Sequence, residues 1–425
     1  MDVHVRRTVP ISYEMVARAY QKVRKGGKTP GVDEESWEDF ASKGVERQLY
    51  VIWNRLASGS YYPQAVKRIE IPKKDGSTRK LGIPTMRDRI AQEVVKEYME
   101  QRIDHQFHEN SYGYRPLKSS HDALTEVRNN VLVKDWVVDM DISKFFDEID
   151  HELMLKAVES MIVDKWVKMY VQRWLEMKVE NKDGSIEESK GKGTPQGGVI
   201  SPLLANLYLH YALDKWLDKN HPTVKFVRYA DDMVLHCSTK AEAEELLRSV
   251  KSRLMEVKLR LNETKTKIVY CKDYRREGKH DHVQFGFLGF SFQPRAIQSK
   301  KVSGTSFTGF TAEISGDNQQ KIREVIREEV NWRNTTIELE DIANKLNSRL
   351  RGWINYFGLF GKKDLRLTML YLDQKLVKWI KRKHKVSYRS ALHLLSTAQK
   401  KRSTPLFYHW EQRYCYNLKE MTRAV

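Results

Sequence analysis

The chain has 425 residues, with 75 Lys and Arg against 56 Asp and Glu, a formal net charge of +19 at pH 7. A hydrophobic content of 40% excludes a disordered chain, and no run approaches the roughly 20 apolar residues of a membrane span. Three scattered cysteines (Cys237, Cys271, Cys415) exclude a disulfide framework and a Cys-rich zinc module, and the amino terminus has no signal-peptide pattern, so the expectation is a soluble protein of a reducing compartment.

The spacing predicts a helix over 12–24, ended by a Gly- and Pro-containing loop at 25–31. Helical periodicity resumes over 36–58. Residues 66–72 alternate as a strand, 73–78 read as a turn and 79–84 return as a second strand, making a basic hairpin. Residues 87–107 read as a helix. Residues 136–142 form a short apolar run interrupted by Asp139 and Asp141, and 153–177 are helical. A loop opening at 191–193 leads into a helix over 201–220. Residues 224–236 are two apolar stretches hinged on Ala230-Asp231-Asp232, a hairpin with acids at its tip. An amphipathic helix covers 240–256, and 285–292 read as an aromatic, glycine-rich strand pair. From about 317 the pattern is almost wholly helical, with a break at 358–361. The gross division is an α+β body to about 300, then a helical, basic C-terminal region.

The charge is uneven. Residues 351–425 hold 17 Lys and Arg against four acids, a net +13 that leaves +6 for the first 350 residues. Trp353, Trp379 and Trp410 interleave with these cations. A solvated basic face is the bland explanation, but the asymmetry with aromatics favours a folded surface that neutralises phosphates.

A buried carboxylate costs several kcal/mol unless it is paired or binds a metal. Asp141 follows Val137-Val138, and Asp231 with Asp232 sits between Phe226-Val227 and Met233-Val234-Leu235. Three acids so placed can gather two Mg²⁺ ions through oxygen ligands, to activate an attacking hydroxyl and stabilise a departing pyrophosphate. Spacing alone leaves two unrelated surface turns equally open.

Tyr229-Ala230-Asp231-Asp232 resembles the Y-x-D-D motif of reverse transcriptases, and 141–151 (Asp141-Ile142-Ser143-Lys144-Phe145-Phe146 onward) resembles their first catalytic motif. Residues 193–206, beginning Gly193-Thr194-Pro195-Gln196-Gly197-Gly198, are similar to the nucleotide-contacting motif between them. The likeness narrows to the reverse transcriptase/maturases of bacterial group II introns. It does so through Gly31-Val32-Asp33, through Asn110-Ser111-Tyr112-Gly113-Tyr114-Arg115-Pro116 with Ser119-Ser120-His121, and through Phe287-Leu288-Gly289-Phe290. Arg351-Gly352-Trp353-Ile354-Asn355-Tyr356-Phe357 and Leu406-Phe407-Tyr408-His409-Trp410 extend it, so that it runs from about residue 12 to 415.

That resemblance implies an α+β right-hand polymerase. Fingers and a palm with an antiparallel sheet are followed by an all-helical thumb/maturase and a basic C-terminal region. The implied division is N-terminal extension and fingers over 1–120, palm over 121–300, thumb/maturase over 301–375 and a DNA/RNA-binding region over 376–425. It implies Asp141, Asp231 and Asp232 as catalytic metal ligands, with the Ile142 carbonyl as a further ligand, for two Mg²⁺ ions or Mn²⁺ in their place. Asp139, which shares a strand face with Asp141, and Asp147 and Asp150 are neighbours that could be mistaken for ligands.

Phe146 is implied as the aromatic that excludes a 2′-OH, with Phe145 equally aromatic beside it. Gln196 and Gly197 would line the nucleotide pocket. Lys73 and Arg79 would clamp the triphosphate, with Lys74 and Lys80 near-equal candidates. Lys265 matches a family lysine near the pyrophosphate and equally reads as a plain surface lysine. Tyr112, Arg115, Phe287, Leu288, Gly289 and Arg351 are implied nucleic-acid contacts, Tyr112 and Arg115 having a structural alternative. Trp353 and Tyr356 read as thumb core, and the histidines suggest no zinc site.

The implied partners are group II intron RNA, an RNA template with a DNA or RNA primer, target DNA and deoxynucleoside triphosphates, with no membrane. The implied location is the bacterial cytoplasm, at the nucleoid. No His-Asn-His endonuclease or RNase H pattern is expected. Two other readings stay open: a splicing cofactor with dispensable polymerase activity, and a domesticated, intron-free relative in DNA repair or phage defence.

Overall fold

The structure, a computed structural model, describes residues 9–72, 76, 78–298, 305–400 and 405–415. Among these, no helix is long and apolar enough to cross a membrane. The chain divides into two compact units: the residues up to Ala123 with Met140–Lys267, and Leu124–Asp139 with the residues from Ile268 on.

In the first unit, the Tyr13–Val23 helix starts at Ser12, whose hydroxyl accepts from Met15 N. Its apolar stripe of Val16, Ala19 and Tyr20 is buried, and the Tyr20 ring stacks on Phe40 with centroids 5.7 Å apart. The Met86–Ile103 helix is buried nearly all round, with Met86, Ile90, Val94 and Met99 fully covered. Three long helical patterns are interrupted. Residues 36–58 become Trp37–Ser42 and Val45–Ala57, because Gly44 takes φ +84° between them. Residues 153–177 become His151–Met161 and Lys165–Leu175, with Ile162 extended. Residues 201–220 become Ser201–Leu209, a π-helical turn at His210–Asp214, and Lys215–Asn220.

The predicted basic hairpin is present, Val66–Pro72 against Thr78–Ile83 in the register Lys67↔Ile83 to Pro72↔Thr78. It carries two short strands that periodicity did not reveal. Val179–Glu180 adds parallel to Val66–Pro72, and Ile186–Glu187 pairs with it antiparallel. The acid-tipped hairpin is Lys225–Tyr229 against Asp232–Cys237, in the register Lys225↔His236 to Tyr229↔Asp232.

The second unit is built on an antiparallel sheet of Phe285–Phe287, Phe290–Gln298 and Ser306–Ile314. The last strand was not legible in the sequence. Phe285 and Phe292 stack with centroids 4.8 Å apart and planes 2° from parallel. Helices follow from Gly316 on, principally Gly316–Glu329, Leu339–Phe357, Lys362–His384 and Tyr388–Lys400. The break before Lys362 depends on Gly361, at φ +53°. A Cβ there would fall 1.9 Å from Glu313 Cγ and 2.7 Å from the Ala312 carbonyl oxygen. Fully buried Asp373 pins the C-terminal segment. Its Oδ1 accepts from Trp410 Nε1 at 2.9 Å and lies 3.0 Å from His409 Nε2.

Candidate active site

The Tyr229–Asp232 hairpin closes through a two-residue turn, Ala230-Asp231. Such turns favour positive φ at their first central residue, and Ala230 takes φ +58°. An L-residue there costs about 1 kcal/mol, a local strain that surrounding packing must hold. The flanking strands are almost wholly buried, so the turn projects its acids from an apolar base. Asp232 is half-buried at the start of the second strand.

Asp141 follows the Trp136–Met140 strand and is held by the 259–266 segment. Asn262 Nδ2 donates to Asp141 Oδ2 at 2.8 Å, and Asn262 N donates to the Asp141 carbonyl at 2.8 Å. Asp141 N donates to Thr266 Oγ1 at 3.3 Å, and Lys265 Nζ lies 3.9 Å from Oδ2. Ile142 is buried and bridges antiparallel to Leu261. Burial, and after it the charge of Asp141, push the Asp231 carboxyl above its ordinary range, while Arg79 and Arg228 draw it down. The Asp231 carboxyl thus lies within reach of the Asp141 charge. Of the neighbouring acids, Asp150 is committed elsewhere. It caps the His151–Met161 helix through Leu153 N and pairs with Lys258 Nζ at 2.7 Å.

The 193–200 loop docks on the basic hairpin. Gly82 N donates to the Gln196 carbonyl at 2.7 Å, and Arg79 Nε donates to Gln196 Oε1 at 2.9 Å. Gly197 is required here: it takes φ +119°, and a Cβ would fall 2.6 Å from the Gly82 carbonyl oxygen. Gln196 Nε2 reaches toward Asp147 Oδ1 at 3.5 Å. The two phenylalanines differ in placement. Phe145 is 2% exposed and belongs to the core, whereas Phe146 is half-buried, its ring T-shaped to Phe145 at 5.3 Å. Lys73 lies outside the described residues. Lys265 is mostly exposed.

Tyr112 and Arg115 are placed differently from these. Tyr112 is buried, and its N–H donates to the Arg228 carbonyl at 2.8 Å. The Arg115 side chain is 6% exposed and pairs with Asp104 at 2.8 Å. It also donates to the carbonyls of His108, Ser111 and Asp104, which organises its own loop.

The other implied contacts lie in the second unit. Phe287 is buried there, and Leu288 and Gly289 form a left-handed turn at φ +48° and +81°. Tyr356 Oη donates to the Leu288 carbonyl at 2.9 Å, and Asn318 Nδ2 to the Gly289 carbonyl at 3.0 Å. The exposed Arg351 guanidinium stands 5.0 Å over the Tyr408 ring.

Sequence reasoning missed Asn262, which grips Asp141, and Arg228, which lies behind the turn. Arg228 carried a usable signal. A cation in the apolar run Phe226-Val227 demands a partner as strictly as a carboxylate does.

Among the described residues no three His, Cys, Asp or Glu side chains converge into a closed metal cage. Mg²⁺ does not need one, since it keeps several waters and is commonly held by one or two carboxylates plus substrate phosphates. The Asp231 carboxyl, close enough to feel the charge of Asp141, together with Asp141 and the adjoining Ile142 backbone, is a donor set of that kind.

The profile of the family described as reverse transcriptase (RNA-dependent DNA polymerase) matches residues 71–292. That of the group II intron maturase-specific domain matches residues 319–394. The chain is 35% identical to protein YkfC of Escherichia coli strain K12, over 59% of this chain and 74% of that one. It is 28% identical to the group II intron-encoded protein LtrA of Lactococcus lactis subsp. cremoris, over 86% of this chain and 72% of that one. A solved telomerase from Candida albicans, in complex with a fragment of telomeric RNA, aligns with a TM-score of 0.46 at 13% identity, over 89% of this chain and 68% of that one.

Proposed function

The chain belongs to the reverse transcriptase family and is an RNA-directed DNA polymerase with a group II intron maturase domain, and we propose that it polymerises by two-metal nucleotidyl transfer at Asp141 and Asp231 and assists splicing and retrohoming of its intron RNA. The observation that carries the reading is the convergence of two segments distant in sequence: Asp141, oriented by Asn262, and the Ala230-Asp231 turn, whose Asp231 carboxyl is held above its ordinary range by burial and then by the charge of Asp141. Asp141, Asp231, Asp232 and the Ile142 carbonyl would hold two Mg²⁺ ions. Bound there, the ions supply Lewis acidity to the primer 3′-hydroxyl and charge neutralisation at the phosphates.

The chain's own groups do the rest. Asn262 orients the Asp141 carboxylate. Arg79 and Lys73 meet the triphosphate, and Gln196 holds the Arg79 guanidinium ready in the meantime. Gly197 lets backbone approach the nucleotide. The part-exposed ring of Phe146, rather than the buried ring of Phe145, is the one available to bar a 2′-OH. Lys265, near Asp141, is positioned to serve the leaving pyrophosphate. The left-handed turn at Leu288-Gly289 and the exposed Arg351 are proposed primer and RNA contacts, and Arg115 with Tyr112 is proposed to shape the loop behind the catalytic turn. Asp231→Ala tests the reading. Metal-dependent cDNA synthesis should vanish while affinity for intron RNA stays within about threefold, and full primer extension by this variant would remove the metal assignment.

A further inference from the structure

Arg228 and Asp214 are both fully buried. Arg228 Nε donates to Asp214 Oδ1 at 2.8 Å, and Nη2 donates to Oδ2 at 2.5 Å. The remaining nitrogen, Nη1, turns the other way and donates to Asn206 Oδ1 at 2.9 Å and to the Ala230 carbonyl at 3.0 Å. Asn206 Nδ2 then donates to the Gly113 carbonyl at 2.6 Å. The Gly113 backbone is pressed against the turn so closely that a Cβ would fall 2.4 Å from Ala230 N.

This arrangement is more than a stability device. A buried ion pair adds little net stability, and an apolar pair of similar volume commonly serves as well or better. An apolar pair cannot donate to the Ala230 carbonyl. That carbonyl belongs to the peptide that leads into Asp231, at a residue already held at φ +58°. The planar fork of an arginine can grip Asp214 on one side and the turn on the other, which the single ammonium of a lysine cannot. Asp214 sits in the π-helical turn, the irregular turn that aims its carboxylate at the guanidinium.

We propose that Arg228, locked by Asp214 and Asn206, is a positioning residue for divalent-metal binding: it fixes the Ala230-Asp231 peptide and so presents the Asp231 carboxylate beside Asp141. The inference rests on the proposed role of Asp231 as a metal ligand and is tested separately from it.

Two variants carry the test, Arg228→Lys and the paired replacement Asp214→Leu with Arg228→Met. The first keeps a cation against Asp214, and the second removes both charges together. For each, the thermal midpoint and the affinity for an RNA template–DNA primer report whether the fold survives. Mn²⁺ binding to the protein–primer–template complex, followed by electron paramagnetic resonance, and the Mg²⁺ concentration for half-maximal extension report the site. The expected result is folded protein with unchanged template–primer affinity and Mn²⁺ affinity lowered about 10- to 100-fold, the usual scale for a partner of a metal ligand.

Wild-type Mn²⁺ affinity and extension in the folded paired variant would overturn the proposal. If that variant does not fold, the same result in Arg228→Lys overturns it. Asp231→Asn, measured alongside, separates the two readings. Unchanged Mn²⁺ affinity in Asp231→Asn removes the metal assignment itself, whereas loss there with wild-type affinity in the Arg228 variants removes only the role of Arg228.

Discussion

Asn262 grips Asp141 at two points, its side-chain amide on the carboxylate and its backbone N–H on the carbonyl, both at 2.8 Å. The residues are 121 positions apart. The amide can donate to one carboxylate oxygen while leaving the other for a cation, the geometry by which a neighbouring hydrogen bond orients a metal ligand. Asn262→Ala should lower primer extension about 10- to 100-fold and raise the Mg²⁺ concentration needed for half-maximal rate. A steady-state Mg²⁺ titration checks this, and an unchanged titration curve would refute it.

In the second unit, Arg295 Nη1 faces two carboxylates, Glu313 at 3.2 Å and Asp364 at 2.8 Å. Burial first, then the hydrogen bond and charge of Asp364, push the Glu313 carboxyl up to about 7. A folded-state value above the unfolded one means that the folded chain keeps this proton longer. The stability it contributes is therefore full below about pH 4.5 and lost as pH rises through about 7. Glu313→Gln should flatten this loss. Thermal unfolding of wild type and variant at several values between pH 5 and 8 checks it, and parallel curves would count against the pair.

The Tyr356 hydroxyl donates to the Leu288 carbonyl within a turn held at φ +48°. Removing one such hydrogen bond costs about 1 kcal/mol, and here it also releases a strained backbone. Tyr356→Phe should lower unfolding stability by that amount and speed amide exchange at Leu288 and Gly289. Exchange rates equal to wild type would show that the sheet alone holds the turn.

Lys378, Lys381 and Lys385 are exposed on one stripe at the end of the Lys362–His384 helix and its cap. Nearby cations are already engaged, Arg382 with the Trp332 carbonyl and Lys383 with Glu338 and the Ile337 carbonyl. If the stripe meets phosphates, replacing all three lysines by Ala should reduce the slope of log affinity for RNA against log salt by about 3, roughly one per phosphate contact. An unchanged slope would place RNA binding elsewhere.

The polymerase family and the order of its motifs along the chain are legible in neighbouring residues. Acids inside apolar runs, the 193–206 segment, the hairpins at 66–83 and 225–237 and the helices after 316 are local signals, carried by adjacent residues or by a fixed period. Tertiary structure alone decided which of two adjacent phenylalanines is core, and that Arg115 is enclosed by its own loop. It alone put Gln196 on Arg79, Asn262 on Asp141, and Arg228 between Asp214 and the Ala230-Asp231 turn. Those choices depend on what covers a side chain and which distant polar group satisfies it. Such pairings have no period along the chain, because a buried charge or amide needs only one partner within about 3 Å, from any element that folding brings there.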